Sequence, residues 1–151
     1  MKKKESILGF TLIELLVVIA ILGLLATIGL ASFRSTQIKS RDSQRKSDLN
    51  QIQKALEMYY NDNGEYRNSL PDGGSVWEDA KGTLYMKEIP QDPKFGDYVY
   101  ASIDGTSYIL YARLENDQDS CFNPGGFCKD YGLPCGDANC NYAVSSQNIT
   151  P

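Results

Sequence analysis

From Leu15 to Phe33 the chain carries no charged residue, and a single carboxylate, Glu14, stands at the head of that apolar run. This window limits the possible folds more than any other. Counted from Phe10, the run gives 24 residues. As a helix that is roughly 36 Å at ~1.5 Å per residue, enough to cross a hydrocarbon core of ~30 Å. Leu15, Leu16, Val17, Val18, Ile19, Ala20, Ile21 and Leu22 are apolar around the whole helical circumference. A helix without a polar face is covered by lipid or by protein. An ionised acid at bilayer depth costs roughly 2.5 kcal/mol or more, so Glu14 calls for a partner. Gly23 and Gly29 are weak points in the segment and permit close helix–helix approach.

Two plainer readings compete. Lys2, Lys3 and Lys4 ahead of the run, with small residues at Gly29-Leu30-Ala31, suit a secretory signal peptide. Such a peptide does not normally carry an acid at the head of its apolar core, and the helical pattern continues past Ala31. A simple single-span anchor leaves Glu14 unexplained, unless its side chain snorkels to the interface.

Gly9-Phe10-Thr11-Leu12-Ile13-Glu14 followed by this run resembles the class III signal of type IV pilins and type II secretion pseudopilins. The resemblance implies cleavage after Gly9 by a membrane prepilin peptidase and N-methylation of Phe10. It also implies a requirement for Glu14 in assembly at an inner-membrane platform. The physical chemistry agrees. Cleavage leaves a cationic α-amine on Phe10, and a buried carboxylate facing a neighbour's amine would set the axial register of a fibre. Removing one member of such a pair costs ~3–5 kcal/mol. Counting Lys and Arg near the two ends of the span does not by itself favour a cytoplasmic N-terminus. The cysteine pattern and the resemblance place the C-terminal part outside.

Beyond the membrane the same helix continues. Leu49, Ile52, Leu56 and Tyr59 recur at spacings of three and four, one face of a helix. No proline precedes Pro71, and Asn63-Gly64 is a stop signal. The segment Tyr59–Tyr66 also resembles the end of the long helix in many pilins and pseudopilins, with Arg67 where many have proline. The expected organisation is a leader over 1–9, a fibre-core helix over 10–33, an amphipathic continuation over 34–62 and an α+β head over 63–151.

Residues 67–96 read as irregular, punctuated by Pro71, Gly73, Gly74, Gly82, Pro90, Pro93 and Gly96. Trp77, the lone tryptophan, is expected to pack this loop onto the helix. Pro90-Gln91-Asp92-Pro93 resembles a motif of the major pseudopilin and of some pilins. Two strands follow, over 98–101 and 107–114, joined through Asp104-Gly105, a strong hairpin signal. A third short strand is expected over 142–144. The hairpin needs a surface to lie on, and the Leu49/Ile52/Leu56/Tyr59 face supplies one. The predicted fold class is therefore α+β: a long N-terminal helix, membrane-spanning in its first half, packed on a small antiparallel sheet.

All four cysteines, Cys121, Cys128, Cys135 and Cys140, fall in the last third. On the exported side of a membrane an even count reads as disulfides. Three pairings are possible. The expected one is local, Cys121–Cys128 and Cys135–Cys140. A zinc site lacks both histidine and a Cys-x-x-Cys pair. Glu115, Asp117 and Asp119 alternate after the second strand; they are weak calcium candidates, and the plainer reading is a solvated acidic turn. No other cofactor is suggested. Asn148-Ile149-Thr150 fits the minimal glycosylation triplet.

Charge is divided along the chain. Residues 34–57 carry six basic and three acidic side chains; residues 58–151 carry six basic and fourteen acidic. A basic stem below an acidic head would let neighbours in a stack attract one another, or is simply a solvated helix face. Nucleic acid is disfavoured as a partner because no aromatic-interleaved basic groove accompanies the stem. Catalysis has no support: there is no histidine, nucleophile elbow or phosphate loop. The functional expectation is a structural subunit of a type IV pilus, held in the cytoplasmic membrane, cleaved, and polymerised as a homo-oligomeric helical surface filament. The alternatives are a pseudopilin of a type II secretion system and a membrane-anchored exported binding module.

Overall fold

The computed structural model describes residues 9–119 and 129–147. Among these residues one helix, α1 (Leu12–Asn63), and seven short strands make up the regular structure. Met1–Gln37 and Ile38–Pro151 form two separate units.

In the first unit α1 begins at Leu12, two residues after the expected start. Every large apolar side chain from Phe10 to Phe33 that the structure describes is exposed, Leu15 by 59% and Ile28 by 63%. Among the described residues nothing covers this surface. The segment is long and apolar enough to cross a membrane.

In the second unit the 3–4 spacing of apolar residues buries one face of α1. Leu49, Ile52 and Leu56 are fully buried, with Tyr59 packed against the same core. Burying each aliphatic side chain contributes roughly 1.5–3 kcal/mol. The helix stops at Asn63, as the Asn-Gly pair predicts. Gly64 has φ +76° and donates its N–H to the Tyr60 carbonyl at 2.7 Å, the left-handed stop that glycine adopts without strain.

The main sheet has the order β3 (Val99–Ile103), β4 (Ser107–Ala112), β7 (Tyr142–Ser145), antiparallel throughout. Asp104 (φ 50°) and Gly105 (φ 67°) form the predicted turn. The two-residue period of β4 divides its side chains. Tyr108, Leu110 and Ala112 face α1, while Tyr111 and Ile109 join a second cluster with Cys135, Cys140 and Ala143. Residues 129–140 thus cover the face of the sheet opposite α1, and β4 is buried on both sides. The strand ends at Ala112, two residues short of the expected end. Leu114 leaves the ladder to exchange hydrogen bonds with the Asn141 side chain, at 2.7 and 3.0 Å.

Residues 67–96 are less irregular than the sequence reading held. β1 (Trp77–Glu78) pairs antiparallel with β2 (Leu84–Met86), and Asp92 bridges Gly96. β5 (Pro134–Cys135) and β6 (Ala138–Asn139) form a further unanticipated pair. Strands of two or three residues are too short for an alternating pattern to register. Trp77 is fully buried, 5.8 Å from the Tyr59 ring, so it does pack this segment onto α1. Phenol hydroxyls reinforce the contact. Tyr98 donates to Asp48 at 2.8 Å, Tyr108 and Tyr66 to Glu57 at 3.1 and 3.0 Å, and Tyr85 to Asp62 at 3.1 Å.

Cys135 and Cys140 form a disulfide across Cα atoms 5.0 Å apart, as the local pairing predicts. Cys121, Cys128 and the Asn148 triplet lie outside the described residues.

Candidate functional site

The N-terminal candidates are built on the first turn of α1. Gly9, Phe10 and Thr11 precede the helix. Thr11 is its N-cap and Glu14 the third helical residue. The Glu14 carboxylate accepts hydrogen bonds from the Thr11 N–H (2.9 Å) and hydroxyl (2.6 Å), both at Oε2, while its own N–H donates to Thr11 Oγ1 at 3.4 Å. This is a capping box, two otherwise unpaired donors satisfied reciprocally. The Thr-x-x-Glu spacing was legible in the sequence, but Glu14 was read there only as a charge within an apolar run. Among the described residues no donor reaches Oε1, which can accept from a second group. Phe10 is 83% exposed. A Cβ added at Gly9 would meet nothing within 4 Å, and Gly9 is not among the positive-φ glycines. The fold of the chain therefore does not require glycine at this position.

The head holds an ionic knot that the sequence reading did not find. Arg45 is fully buried. Its Nε and Nη2 donate to the two oxygens of Asp92, at 2.6 and 3.0 Å. Nη1 donates to Asp42 at 2.7 Å and pairs with Glu115 at 2.9 Å. Arg41 grips Glu115 through both carboxylate oxygens, at 2.7 and 2.8 Å. Lys94 lies 3.4 Å from Glu115. Asp42 also accepts the N–H groups of Glu115 and Asn116, and Asp92 those of Lys94 and Phe95. Within the knot the buried Arg45, Asp42 and Asp92 thus each meet an opposite charge, which offsets the cost of burying them. Hydrogen bonding from Arg41, with Arg45 added, outweighs burial and holds the Glu115 carboxyl down to about 2.

The acidic turn is drawn into this knot. Glu115 faces Arg41 and Arg45, Asp119 accepts from Lys46 at 2.6 and 2.8 Å, and Asp117 is exposed. Among the described residues no group of three or more acidic or thiol side chains comes together in a way that could hold a metal. Arg41, Arg45 and Lys46 are therefore neither a free basic stem nor a solvated face. They are used within the chain. Asp92, inside the Pro90–Pro93 motif, is the residue whose role only the folded head reveals.

The described residues thus comprise an apolar helix long enough to cross a membrane, a capped acid at its start, and an α+β head locked by buried ion pairs. Residues 7–30 match the family model described as the prokaryotic N-terminal methylation motif. The chain is similar to the type II secretion system core protein G of Klebsiella michiganensis, 33% identical over 66% of this chain and 77% of the relative. It is likewise similar to that of Vibrio cholerae (33%; 68% and 75%) and of Aeromonas hydrophila (32%; 78% and 92%). No solved structure gives a significant match. The chain belongs to the type IV pilin and type II secretion pseudopilin family. These relatives fit the pseudopilin alternative better than the surface-pilus reading. An apolar helix directly behind a prepilin motif also fits anchoring in a membrane before assembly.

Proposed function

We propose that the chain is a pseudopilin of a type II secretion system. It is inserted in the cytoplasmic membrane through residues 10–33, cut after Gly9 by a prepilin peptidase, and methylated on Phe10. It then polymerises into a helical filament whose core is the apolar helix. The role is structural, with no reaction catalysed. Carrying this reading is the capped Glu14 at the head of an apolar surface that the described residues leave uncovered. Apolar area of that extent must be covered by lipid before assembly and by other subunits after it. Similarity to the core G proteins directs the reading to secretion. The lack of any steric need for glycine at Gly9 fits a requirement imposed by the processing enzyme.

In the assembled core each Glu14 carboxylate, held at one oxygen by Thr11, accepts from the α-amine of a neighbour's Phe10. Low dielectric strengthens that pair, and leaving either member alone is costly. The test is the intact mass of the mature protein together with a gene deletion. Expected are an N-terminus at Phe10 bearing one methyl and loss of protein export. A mature N-terminus at Ser32 would show secretory cleavage and end the filament reading. Export intact with surface filaments lost would return the chain to a type IV pilus.

A further inference from the structure

Two exposed features of the head remain after the core and the ionic knot are accounted for. The first is a groove between α1 and β2. It is lined by the apolar Ala55, Met58 and Met86 and by the charged Lys54, Lys87 and Glu88. Met58 is 52% exposed although it is a large apolar side chain. The second is the β3–β4 tip. Ile103 is 45% exposed there. Asp104 follows it in the turn, and Glu65 lies beside the tip, its Cβ 3.4 Å from where a Gly105 Cβ would stand. Among the described residues, Lys54, Lys87, Glu65 and Asp104 form no ion pair with another part of the chain.

The two features are complementary. One is a groove lined by apolar side chains together with two ammonium groups and one carboxylate; the other is an apolar knob flanked by two carboxylates. They also occupy different parts of the head. The groove lies on the flank of α1 that carries Gln51, Ala55 and Met58. At 100° per residue this is opposite the flank where Gln53 reaches the Ser145 carbonyl. The tip is tied beyond the end of α1, the Gly105 carbonyl accepting the Tyr66 N–H at 2.8 Å. From Ala55 to the helix end at Asn63 is roughly 12 Å along the axis at ~1.5 Å per residue. A knob on one copy seated in the groove of the next, repeated in one sense, is a heterologous contact, which closes into a ring or propagates as an open helix according to the rotation between copies.

We propose that the β3–β4 tip of one copy of this chain seats in the α1–β2 groove of the next. Ile103 rests on Met58 and Met86, and the carboxylates of Asp104 and Glu65 face Lys54 and Lys87. This contact rests on the filament reading above and supplies its head-to-head half. Charge complementarity fixes which surfaces meet, and the apolar centre excludes water from the contact.

The experiment uses the full-length chain in cells that process and assemble it. Filament yield is measured as the ladder of chemically cross-linked multimers in whole cells, with membrane-held mature subunit measured in parallel. Lys54→Glu with Lys87→Glu should reduce the multimer ladder by about tenfold or more, with mature subunit unchanged. Adding Glu65→Lys and Asp104→Lys should restore it. A benzophenone amino acid at position 58 should cross-link to residues 101–106 of another copy. Undiminished filament from the lysine reversals would overturn the contact. So would a loss that the compensating reversals do not restore, or cross-links mapping elsewhere. If the wild-type chain matures and stays in the membrane without forming any filament, the filament reading fails and this contact fails with it.

Discussion

Arg45 and Asp92, 47 positions apart in sequence, are joined inside the head by two hydrogen bonds of 2.6 and 3.0 Å. Through this pair the segment after β2 is locked to α1. The same guanidinium holds Asp42 and Glu115, so three separate parts of the chain meet on one side chain. Arg45→Ala leaves buried carboxylates without their cation. It should cost ~3–5 kcal/mol and lower the Tm of the detergent-solubilised chain by more than about 10 °C. Arg45→Lys keeps the charge but loses the two-pronged grip on Asp92, so a smaller loss is expected. A melting curve unchanged in Arg45→Ala would show that the knot is not what holds these segments together.

Acid should unlock the same knot. The Glu115 carboxyl is lowered from 4.5 to about 2, by Arg41 first and Arg45 next, against the opposing effect of burial. Its folded pKa is below its unfolded one. The stability it contributes is therefore complete above about pH 4.5 and is lost as pH falls toward 2. Unfolding followed by tyrosine fluorescence should show this loss for the wild type. Glu115→Gln should be less stable at neutral pH and flatter across that window. Equal slopes in the two proteins would assign the acid sensitivity to other groups.

Calcium addition provides an independent test of the acidic turn. Glu115 and Asp119 already have arginine and lysine partners. Millimolar calcium should therefore leave the Tm nearly unchanged. A bound ion at ~100 times its dissociation constant would add about 2.7 kcal/mol. A rise of that size, abolished by Asp117→Ala, would establish a calcium site in this turn.

Glu14→Ala should separate processing from assembly. The variant makes the membrane segment more apolar, so insertion is preserved or improved. The Gly9–Phe10 bond is intact, so cleavage continues. Filaments should be lost because each Phe10 amine then lacks its carboxylate. Glu14→Asp keeps the charge with one methylene less reach and should be intermediate. Normal filament yield from Glu14→Ala would show that the carboxylate is not used in assembly.

Two glycines make a contrasting pair. Gly136 has φ +77°, and a Cβ there would run into the Phe95 ring. Gly136→Ala should destabilise the head by ~1–3 kcal/mol without affecting processing. A Cβ at Gly9 meets nothing. Gly9→Ala should leave melting unchanged and impair cleavage, measured as uncut precursor on gels. If each variant showed the other's defect, the division between structural and processing glycines would be wrong.

The amino-acid sequence by itself determined the elements whose signals are local and repeated. The apolar run, the 3–4 periodicity of Leu49, Ile52 and Leu56, the Asn63-Gly64 stop and the Asp104-Gly105 turn each report a short-range preference. The structure realises all of them. The Thr11–Glu14 capping box was equally local and could have been read. Only tertiary structure decided the fate of the charges. Arg41, Arg45 and Lys46 look in sequence like a solvated helix face, because nothing near them shows that Asp92, Glu115 and Asp119 will arrive from 47 to 74 positions away. A charge is buried only when its partner is delivered by the fold, and neither helical spacing nor composition encodes that delivery. The short pairs β1–β2 and β5–β6 were hidden for a related reason. Each is held by what it packs against, Trp77 on α1 and the Cys135–Cys140 loop on the sheet, rather than by any preference of its own residues.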